Sequence, residues 1–462
     1  MSSKVETAGV RHAIALALLI GAAAAAPLAS AVAAEAGASN ADLDARLKVL
    51  ERKLEIANEE AVAARTSAVT VTANETGFRL RSADQRFDLR IRGTVQLDYR
   101  SFLDDTPVSG SLNDTFLLRR VRPTFEFALG KAVALRLTPE FAGANATIVD
   151  AYLDLKVKPW LTFRAGKQKG PIGLERLQSG SQTVFIERAL PTELAPNRDI
   201  GLTAQGDFAR GVVAYQLGVY NGTADGRDAN FSDVDDHKEY AARIFLEPFR
   251  NAPGLLQGFG VGVAASHGFK DSNTVGTNGA LPQLRSSGQN TFFQYLTTVS
   301  ASGDHDRWTA QSYYYRGGLG LIGEYIESEQ EVRVGTGTTR AKLTNDAWQV
   351  TASYVLTGED NSFRGVVKPN TAFGDGGWGA IEVALRASGL NVDDAAFPLF
   401  ASPTASAREA TIYAAGINWY VNANGKLSLN YSVTDFKGGA TLAQGGDREK
   451  EKALFGRFQI AF

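Results

Sequence analysis

Hydrophobic and polar residues alternate with a period of two from about residue 87 onward. In FDLRIRGTVQLDYR, which spans residues 87–100, the odd positions are apolar or aromatic apart from Gly93, and the even positions are polar. Because a β-strand sends successive side chains to opposite faces, this pattern predicts a strand with one apolar and one charged face. The same alternation recurs at 120–127, 133–141, 149–157 and 427–434. The chain is therefore predicted to be all-β in this region.

Short turns and long polar segments separate the predicted strands. Turn sequences occur at LGKA (129–132), VKPW (157–160) and NANGK (422–426). Long polar segments occupy 169–200, 221–238, 267–290, 328–345, 357–376, 388–409 and 437–451. This arrangement predicts an antiparallel meander with short turns at one end and long loops at the other, as in a transmembrane β-barrel. A soluble β-sandwich also alternates, but a second face with both arginines and carboxylates favours lipid outside and water inside.

The end of the chain adds to the prediction of a barrel. In ALFGRFQIAF (453–462) apolar and polar positions again alternate, and the last residue is Phe462. This ending resembles the final strand of bacterial outer-membrane β-barrels, where a terminal aromatic residue belongs to the insertion signal. The pattern divides into about seventeen strands, and because bacterial single-chain barrels close with an even number, sixteen strands are expected. The segments 258–300 and 307–327 are the places where the division is open.

The N-terminus predicts export. Lys4 and Arg11 precede an apolar run from Ala13 to Ala26, and an A-x-A sequence ends at Ala33. This order is typical of a cleaved signal peptide, assigned to residues 1–34; the alternative is an uncleaved inner-membrane anchor. No other stretch approaches the roughly 18 consecutive apolar residues of a spanning helix. A membrane would therefore be crossed by strands.

Residues 35–84 differ in composition from the rest. Apolar residues recur in steps of four and three at Leu43, Leu47, Leu50, Leu54, Ala57 and Ala61. This spacing predicts the seam of a left-handed coiled coil, and a solvated helix on a flexible tether is the alternative. The predicted organisation is a signal peptide (1–34), a coiled-coil helix with a linker (35–84) and an outer-membrane barrel (85–462).

Composition and charge exclude several classes of function. Lys+Arg 48 against Asp+Glu 50 gives a net charge of -2, without the basic surplus typical of nucleic-acid binding. Cys 0 excludes disulfides, thiolate metal sites and cysteine nucleophiles. The histidines of the mature chain, His237, His267 and His305, have no Ser-His-Asp spacing, and DVDDHKE (233–239) lacks calcium-loop spacing. No enzymatic activity, metal site or cofactor is predicted.

Several motifs, in the same order, resemble the phosphate-selective porin O and P family of bacterial outer-membrane porins. They are RRVRP (119–123), GKQKGPIGLE (166–175), FIER (185–188), NRDIG (197–201), GEY (323–325), SYVLTGE (353–359), INWYVN (417–422) and LFGRFQIAF (454–462). One position departs from the family pattern. Family members commonly carry an arginine after the glycine where this chain has Gly93-Thr94, although Arg90 and Arg92 lie close by.

The resemblance implies a homotrimer of sixteen-stranded barrels in the outer membrane of a Gram-negative cell. It implies diffusion of phosphate, polyphosphate or other small anions through a pore lined by arginine and lysine, with a loop folded into the lumen. The alternatives are a general or other-anion porin, or a structural barrel that anchors an N-terminal helix in contact with periplasmic partners. Outer-membrane lipid is the expected surrounding, and nucleic acid is not an expected partner.

The polar face supplies the candidate pore-lining residues. Strand parity places arginines in the lumen at Arg90, Arg92, Arg100, Arg120, Arg122, Arg136, Arg164, Arg243, Arg386 and Arg457. The same parity places carboxylates there at Asp88, Asp98, Glu126, Glu140, Asp150, Asp154, Glu247 and Glu382. Anion selectivity therefore requires the arginines to be grouped away from the carboxylates.

The segment 167–200 is predicted to be the inward loop, because its length exceeds that of an ordinary hairpin connection. Its alternative is an extracellular lid whose charges bind lipopolysaccharide or stay solvated. Together with the strand arginines it gives the predicted phosphate-binding and pore-lining set: Arg90, Arg92, Arg120, Arg122, Arg164, Lys167, Lys169, Arg176, Ser179, Ser181 and Arg243.

Overall fold

The computed structural model describes residues 40–103, 113–229, 233, 235–271, 281–363, 365, 368–444 and 446–462. The chain divides into two compact units, the first ending at Ala68 and the second running from Val69 to Phe462. The predicted signal peptide lies outside the described residues and stays a prediction.

The described part of the first unit is one helix, α1 (Asn40–Ser67). Its sequence is rich in alanine, leucine, glutamate, lysine and arginine, which are good helix formers, and Arg46 pairs with Asp42 one turn away at 3.3 Å. The seam leucines Leu43, Leu47, Leu50 and Leu54 are exposed in the single chain. The helix is therefore observed, whereas its coiled-coil pairing stays a prediction. No helix in the described part of the chain is long and apolar enough to cross a membrane.

The second unit contains a closed antiparallel barrel. It begins with a hairpin, β1 (Thr70–Asn74) and β2 (Gly77–Arg81), which precedes the barrel strands. The barrel strands are β3 (Phe87–Phe102), β4 (Thr115–Leu129), β5 (Val133–Glu140), β6 (Thr147–Lys158), β7 (Leu161–Gln168), β8 (Asp199–Phe208), β9 (Val213–Tyr220), β10 (Glu239–Leu246), β11 (Phe259–Asp271), β14 (Val299–Arg316), β15 (Leu319–Val334), β16 (Arg340–Val355), β17 (Ala380–Asn391), β18 (Ala407–Tyr420), β19 (Gly425–Gly438) and β20 (Glu451–Ala461). Each pairs with its neighbour, and β20 pairs with β3 to close the barrel. The predicted sixteen strands are confirmed within the described residues.

The structure explains why the number of strands in residues 258–300 and 307–327 was uncertain from the sequence. Residues 307–327 are shared by β14 and β15, which meet at the tight turn of Gly317, where φ is 51°. Between β11 and β14 a separate hairpin is formed by β12 (Gln283–Arg285) and β13 (Thr291–Gln294), which are not barrel strands. Counting this hairpin with the wall would give too many strands.

One predicted loop is wrong. Residues 328–345 were expected to be a polar loop, but β15 continues to Val334 and β16 starts at Arg340. Both faces of these strand ends carry polar residues, so the alternation of apolar and polar positions is lost although the strand continues.

The hairpin β1–β2 lies in the segment that was expected to contain the linker. β2 pairs with the first residues of β3, and β20 pairs with β3 only from Thr94 onward. The backbone NH of Gly93 donates to the carbonyl oxygen of Phe462 at 2.9 Å. A Cβ at residue 93 would lie 2.7 Å from the Phe462 ring, so glycine permits the last residue to seat on β3. The domain boundary at residue 85 stays a prediction.

The predicted orientation of the two strand faces holds for most of the wall. Outward apolar residues such as Phe87 (62%), Leu202 (64%) and Leu385 (66%) are exposed, as expected of a lipid-facing surface. Inward polar residues such as Gln96, Glu382 and Arg457 are buried within the barrel. The charged face therefore points to the interior.

The strict separation of an apolar exterior from a polar interior fails in one region. Ile326, Leu343 and Leu390 point inward and pack with Phe293 of β13 and Phe400 of the β17–β18 loop. Loops from the long-loop end fold into the barrel here, so part of the lumen is filled by an apolar core.

The two ends of the barrel differ as predicted. Connections at one end are as short as residues 130–132 and 317–318, and the opposite end carries long loops such as residues 169–198. An exception at the short-turn end is the β16–β17 connection, residues 356–379. In bacterial outer-membrane barrels the short-turn end faces the periplasm.

Candidate functional site

The β7–β8 connection, residues 169–198 and called the constriction loop below, crosses the inside of the barrel. Gln96 of β3 donates its side-chain amide to the carbonyl oxygen of Gly180 at 3.0 Å. Asn418 of β18 donates to the carbonyl oxygen of Val184 at 2.9 Å. These strands lie far from β7 and β8 around the wall, so the segment is inside the barrel as predicted, and the alternative of an external lid is wrong.

Buried contacts hold the constriction loop in place. It contains two single-turn helices, α2 (Leu174–Leu177) and α3 (Pro191–Leu194). Its apolar residues Ile172, Leu190 and Leu194 are fully buried in the apolar core. The carboxylate of Glu175 accepts hydrogen bonds from the backbone NH of Ala189 at 2.8 Å and from Arg386 of β17. Since buried polar groups are costly unless paired, these contacts select one loop conformation.

Arg386 and Arg457, both predicted to be inside the barrel, anchor the loop. Arg386 binds Glu175, and Arg457 of β20 pairs with Asp98 at 2.6 Å while donating to the carbonyl oxygen of Ile186 at 3.1 Å. Their charges are therefore neutralised by buried carboxylates.

Glu187 is the acidic residue of the loop that meets two arginines. It accepts from Arg100 at 2.7 Å and from Arg119 at 2.9 Å. Burial alone would raise the pKa of Glu187, but the guanidinium groups of Arg119 and Arg100 outweigh it and hold this pKa well below its usual range. Glu187 is therefore ionised and neutralises part of the positive charge on this wall.

Arg119 was missed by the sequence analysis. The register between β3 and β4 shifts after Gln96, so that Gln96 pairs with Arg120 but Leu97 pairs with Leu118. This bulge allows the consecutive residues Arg119 and Arg120 both to bind partners inside the barrel. Strict alternation gives only Arg120, and the adjacent arginines of RRVRP were the available signal.

The constriction loop carries cations that are held by carbonyl groups rather than by acids. Lys169 donates to the carbonyl oxygens of Arg176 at 2.7 Å and Gln178 at 2.6 Å. Arg188 donates to the carbonyl oxygens of Glu175 at 3.1 Å and Gln178 at 2.8 Å. Arg176 likewise binds neutral oxygens, of Thr192 and Asn197. Because these acceptors carry no net charge, Lys169, Arg176 and Arg188 form no salt bridge, although nearby carboxylates, among them Asp150 and Glu193, still attract them.

The facing wall adds two more such cations. Arg120 donates to the side-chain oxygen of Gln96 at 2.6 Å, and its Nε has no hydrogen-bond partner among the described residues. Lys426 of β19 donates to the carbonyl oxygen of Thr183 at 3.0 Å. Gly180 lies directly on Arg120, since a Cβ at residue 180 would be 2.9 Å from the guanidinium carbon.

Two hydroxyl groups flank this contact. The Oγ atoms of Ser179 and Ser181 lie 3.0 Å apart, on either side of Gly180. The structure therefore brings the predicted Lys169, Arg176, Ser179 and Ser181 together with Arg120.

The crowding of cations changes their acidity. Burial, followed by the charges of Arg198 and Arg188, lowers the pKa of Lys169 well below its usual value. Burial and the neighbouring Arg176 also lower the pKa of Arg188. In both cases burial and neighbouring cations together outweigh the nearby carboxylates, which are Asp150 for Lys169 and Glu175 for Arg188, so an anion bound here would stabilise the charged forms.

The other predicted cations on β3 to β7 are mostly paired with acids. Arg122 binds Glu140, and Arg164 binds Asp154 at 2.7 Å. Arg92 lies 3.6 Å from Glu126, which also lies 3.4 Å from Arg136. Their net contribution to the field in the pore is correspondingly small.

The remaining three predicted cations do not join the constriction group. Arg90 lies on β3 toward the short-turn end. Lys167, at the end of β7, donates to the carbonyl oxygen of Ala229 at 3.1 Å. Arg243 lies on β10, where it donates to Gln311 at 2.9 Å and covers the ring of Phe245.

The acidic loop that was weighed as a cation site does not form one within the described residues. Asp233 pairs with Lys238 at 2.6 Å. Across the described ranges, no group of three or more histidine and carboxylate side chains is placed to hold a metal ion.

Comparison with known proteins identifies the family. The model of the family described as phosphate-selective porin O and P matches residues 89–462. The chain belongs to this family. Porin O of Pseudomonas aeruginosa is 22% identical to this porin over 411 residues, which cover 80% of this chain and 90% of the relative. A Caulobacter vibrioides protein described as uncharacterized is 24% identical over 419 residues, covering 82% of this porin and 75% of the relative.

Solved structures share the fold of this porin. The outer-membrane channel DcaP of Acinetobacter baumannii superposes with a TM-score of 0.52 at 9% identity, over 81% of this chain and 97% of that chain. An anion-selective porin of Comamonas acidovorans gives a TM-score of 0.52 at 12% identity, over 81% and 100%. The family and the barrel identify this porin as an outer-membrane channel, a class that is in general not enzymatic.

Proposed function

We propose that this porin passes small anions by diffusion and prefers phosphate or polyphosphate. The observation that carries the proposal is the distribution of unpaired positive charge. Among the described residues, five cations that lie in or against the constriction loop donate to neutral oxygens and form no salt bridge: Arg120, Lys169, Arg176, Arg188 and Lys426. Many other arginines inside the barrel are paired with acids, so the field that attracts anions is concentrated at the constriction.

The residue types suit phosphate. A guanidinium group offers planar, directed donors to phosphate oxygens, and a lysine ammonium acts as a compact charge without a fixed geometry. The hydroxyls of Ser179 and Ser181 can donate to an anion that has lost part of its hydration shell. Conduction also requires release, which is favoured when the binding energy is divided among several sites. The relay of separate cations along the loop meets that condition.

The name of the Comamonas acidovorans structure, an anion-selective porin, supports the anionic class of solute. The description of the family supports phosphate within that class. A porin for other small anions is the second candidate, because the charges and hydroxyls of the constriction suit small anions in general.

We also propose that three copies assemble, with α1 helices pairing in a coiled coil outside the lipid. The exposed seam leucines supply the apolar surface for that pairing. In a structural barrel that only anchors this helix, the lumen would not conduct.

Planar lipid bilayers test the proposal. The purified protein is expected to give a reversal potential of the anion-selective sign in a KCl gradient, and phosphate and polyphosphate are expected to block the chloride current. Block by neither anion would favour the general porin, and the absence of channels would favour the structural barrel.

The double variant Lys169→Ala/Arg176→Ala tests the assigned residues. We expect phosphate block to weaken by roughly tenfold or more, since charge-assisted contacts are worth about 1.5–3 kcal/mol each. Lys131→Ala is the matched control, because Lys131 is exposed in the β4–β5 turn and should leave block unchanged. Equal block in the double variant and the wild type would remove this segment from the binding site.

A further inference from the structure

A second segment enters the lumen, from the short-turn end. In the β16–β17 connection, Asn361 is only 5% exposed. Its side-chain amide donates to the hydroxyl of Ser353 at 2.9 Å and to the carboxylate of Glu382 at 3.2 Å. These contacts fix residues 361–363 and 365, called the floor turn below, against the inner face of β16 and β17.

The floor turn touches the constriction loop directly. The side-chain amide of Gln178 donates to the carbonyl oxygen of Phe363 at 2.5 Å. Gly365 lies against Gln182, since a Cβ at residue 365 would be 3.1 Å from the Gln182 carbonyl oxygen. Gln178 is the residue whose own carbonyl oxygen accepts from Lys169 and Arg188. The floor turn is therefore one residue away from the cations of the constriction.

An aromatic cluster supports the same part of the loop. The ring of Phe363 stacks on Tyr313 with centroids 5.0 Å apart and an angle of 23°. Phe363, Tyr313 and Tyr315 pack against the apolar group formed by Leu174 of the constriction loop and Phe245 of β10. Leu174 is fully buried, so the start of the loop rests on this cluster.

A buried carboxylate joins the two segments a second time. Glu382 accepts from Asn361 of the floor turn and from Asn418, at 3.2 Å and 3.1 Å. The side-chain amide of Asn418 also donates to the carbonyl oxygen of Val184 in the constriction loop. The position of the loop is thus coupled to the floor turn on both sides of Gln178.

We propose that the floor turn positions the constriction loop and thereby determines how strongly this channel binds anions. Phe363 and Asn361 are positioning residues in this role, because they act through Gln178, Leu174 and Val184. The inference rests on the proposed anion channel. Phe363 and Asn361 are themselves uncharged, so replacing either of them removes no charge from the channel.

Phe363→Ala, measured in planar bilayers, is the first test. We expect a larger single-channel conductance, about fivefold weaker phosphate block and a smaller anion-to-cation permeability ratio. Phe373→Ala is the matched control, since Phe373 belongs to the same connection but packs on Trp378 and Trp419. This control should match the wild type. A purely structural role for Phe363 would lower the unfolding temperature without moving the reversal potential, and that result would overturn the inference.

Gln178→Ala provides a test that does not alter the β16–β17 connection. It removes the side chain that binds the Phe363 carbonyl, so we expect a shift in block in the same direction. The double variant with Phe363→Ala should be less than additive if both act through one contact. Wild-type block in both single variants would overturn the floor-turn inference alone. A wild-type channel without anion preference would overturn the proposed function and this inference with it.

Discussion

At the scale of single residues, the constriction depends on a glycine as much as on its cations. Gly180 leaves room for the Arg120 guanidinium to lie against the loop backbone, where any Cβ would come within 2.9 Å. Arg120 is held by the neutral Gln96 rather than by an acid. The result is a buried charge that is fixed in position without a salt bridge.

Gly180→Ala should therefore act like a loss of Arg120, although it changes no charge. Displacing the guanidinium by the new methyl group is expected to weaken phosphate block by roughly tenfold, the cost of about one charge-assisted contact. Gly456→Ala is the control, since a Cβ at residue 456 meets nothing within 4 Å. Bilayer titration of chloride current with phosphate measures both, and equal block in the two variants would contradict this role for Gly180.

Lys169 predicts a pH dependence. Its pKa is lowered by burial and by Arg198, Arg188 and Arg176, against the opposing charge of Asp150. The group is therefore neutral at high pH and gains its charge as the pH falls through the lowered pKa. Between a pH value just below the ordinary lysine pKa of about 10.4 and one just above the range where most carboxylates titrate, we expect anion selectivity in KCl gradients to rise as the pH falls.

Lys169→Arg and Lys169→Gln check the origin of that dependence. Arginine stays charged throughout this range, so Lys169→Arg should remain selective with little change between the two pH values. Lys169→Gln should be less selective at both. The reversal potential is the readout, because chloride does not titrate. A wild-type slope that persists in both variants would assign the titration to another group.

At the scale of elements, the sequence predicts the wall better than it predicts what fills it. β3, β4 and β20 follow the alternation closely, because one face meets lipid and the other meets the polar interior. β15 and β16 continue beyond the stretch in which apolar and polar residues alternate, because both of their faces become polar near the long-loop end. The β1–β2 hairpin and the β12–β13 hairpin are short and carry no clear periodicity.

The site shows the same limit. One continuous loop contains Lys169, Arg176, Ser179 and Ser181, so the sequence predicts them as one group. Arg120 is predicted separately, because strand parity places its side chain on the inner face. Strand parity does not give the position of a side chain along the barrel axis, and it does not identify an ion-pair partner. The sequence therefore cannot separate Arg122 and Arg164, which pair with acids, from the cations without a salt bridge. Arg119 required a bulge that alternation does not encode.

Another interior connection is held by a buried ion network, which makes it a test of element stability. Arg307 of β14 is buried and binds Asp225 of the β9–β10 connection at 2.6 Å and Glu239 of β10 at 2.7 Å. Burial would raise the pKa of Asp225, but Arg307 and His305 outweigh it and hold this pKa well below its usual range. Buried ion pairs therefore hold the β9–β10 connection against the barrel wall.

Arg307→Met should destabilise the barrel by about 3–5 kcal/mol, because two buried carboxylates lose the guanidinium that pairs with both of them. Urea unfolding followed by tryptophan fluorescence measures the change. Arg250→Met, which breaks the exposed pair with Glu247, should cost about 1 kcal/mol or less. Adding Asp225→Asn and Glu239→Gln should restore part of the loss, and no restoration would contradict the electrostatic origin.

At the scale of the whole molecule, one side of the barrel contains four strands that are shorter than a bilayer-spanning strand. β5, β7, β9 and β10 have eight residues each, whereas a tilted spanning strand needs about 9–11. We call β5–β10 the low wall. Its outer surface, with the adjoining tall strands, forms a groove of about 1210 Å³ that contains Leu202, Leu217 and Tyr240. The proposed trimer would cover this surface.

Leu202→Lys should therefore weaken assembly. A lysine on this outer face would be buried against a second copy, and we expect monomers in mild detergent. Leu385→Lys, on the tall wall at nearly the same exposure, 66% against 64%, should insert with a similar penalty but remain trimeric. Size-exclusion chromatography with light scattering distinguishes the two. Identical assembly of both variants would place the contact elsewhere.

The apolar core behind the constriction loop has a consequence for sieving. Packed side chains occupy the interior along β14 to β18, so this part of the barrel interior is closed to solutes. The diameter of the barrel is therefore a poor guide to the size of the solutes that pass through it. Bulky antibiotics should be excluded sterically by these packed side chains rather than by electrostatic repulsion.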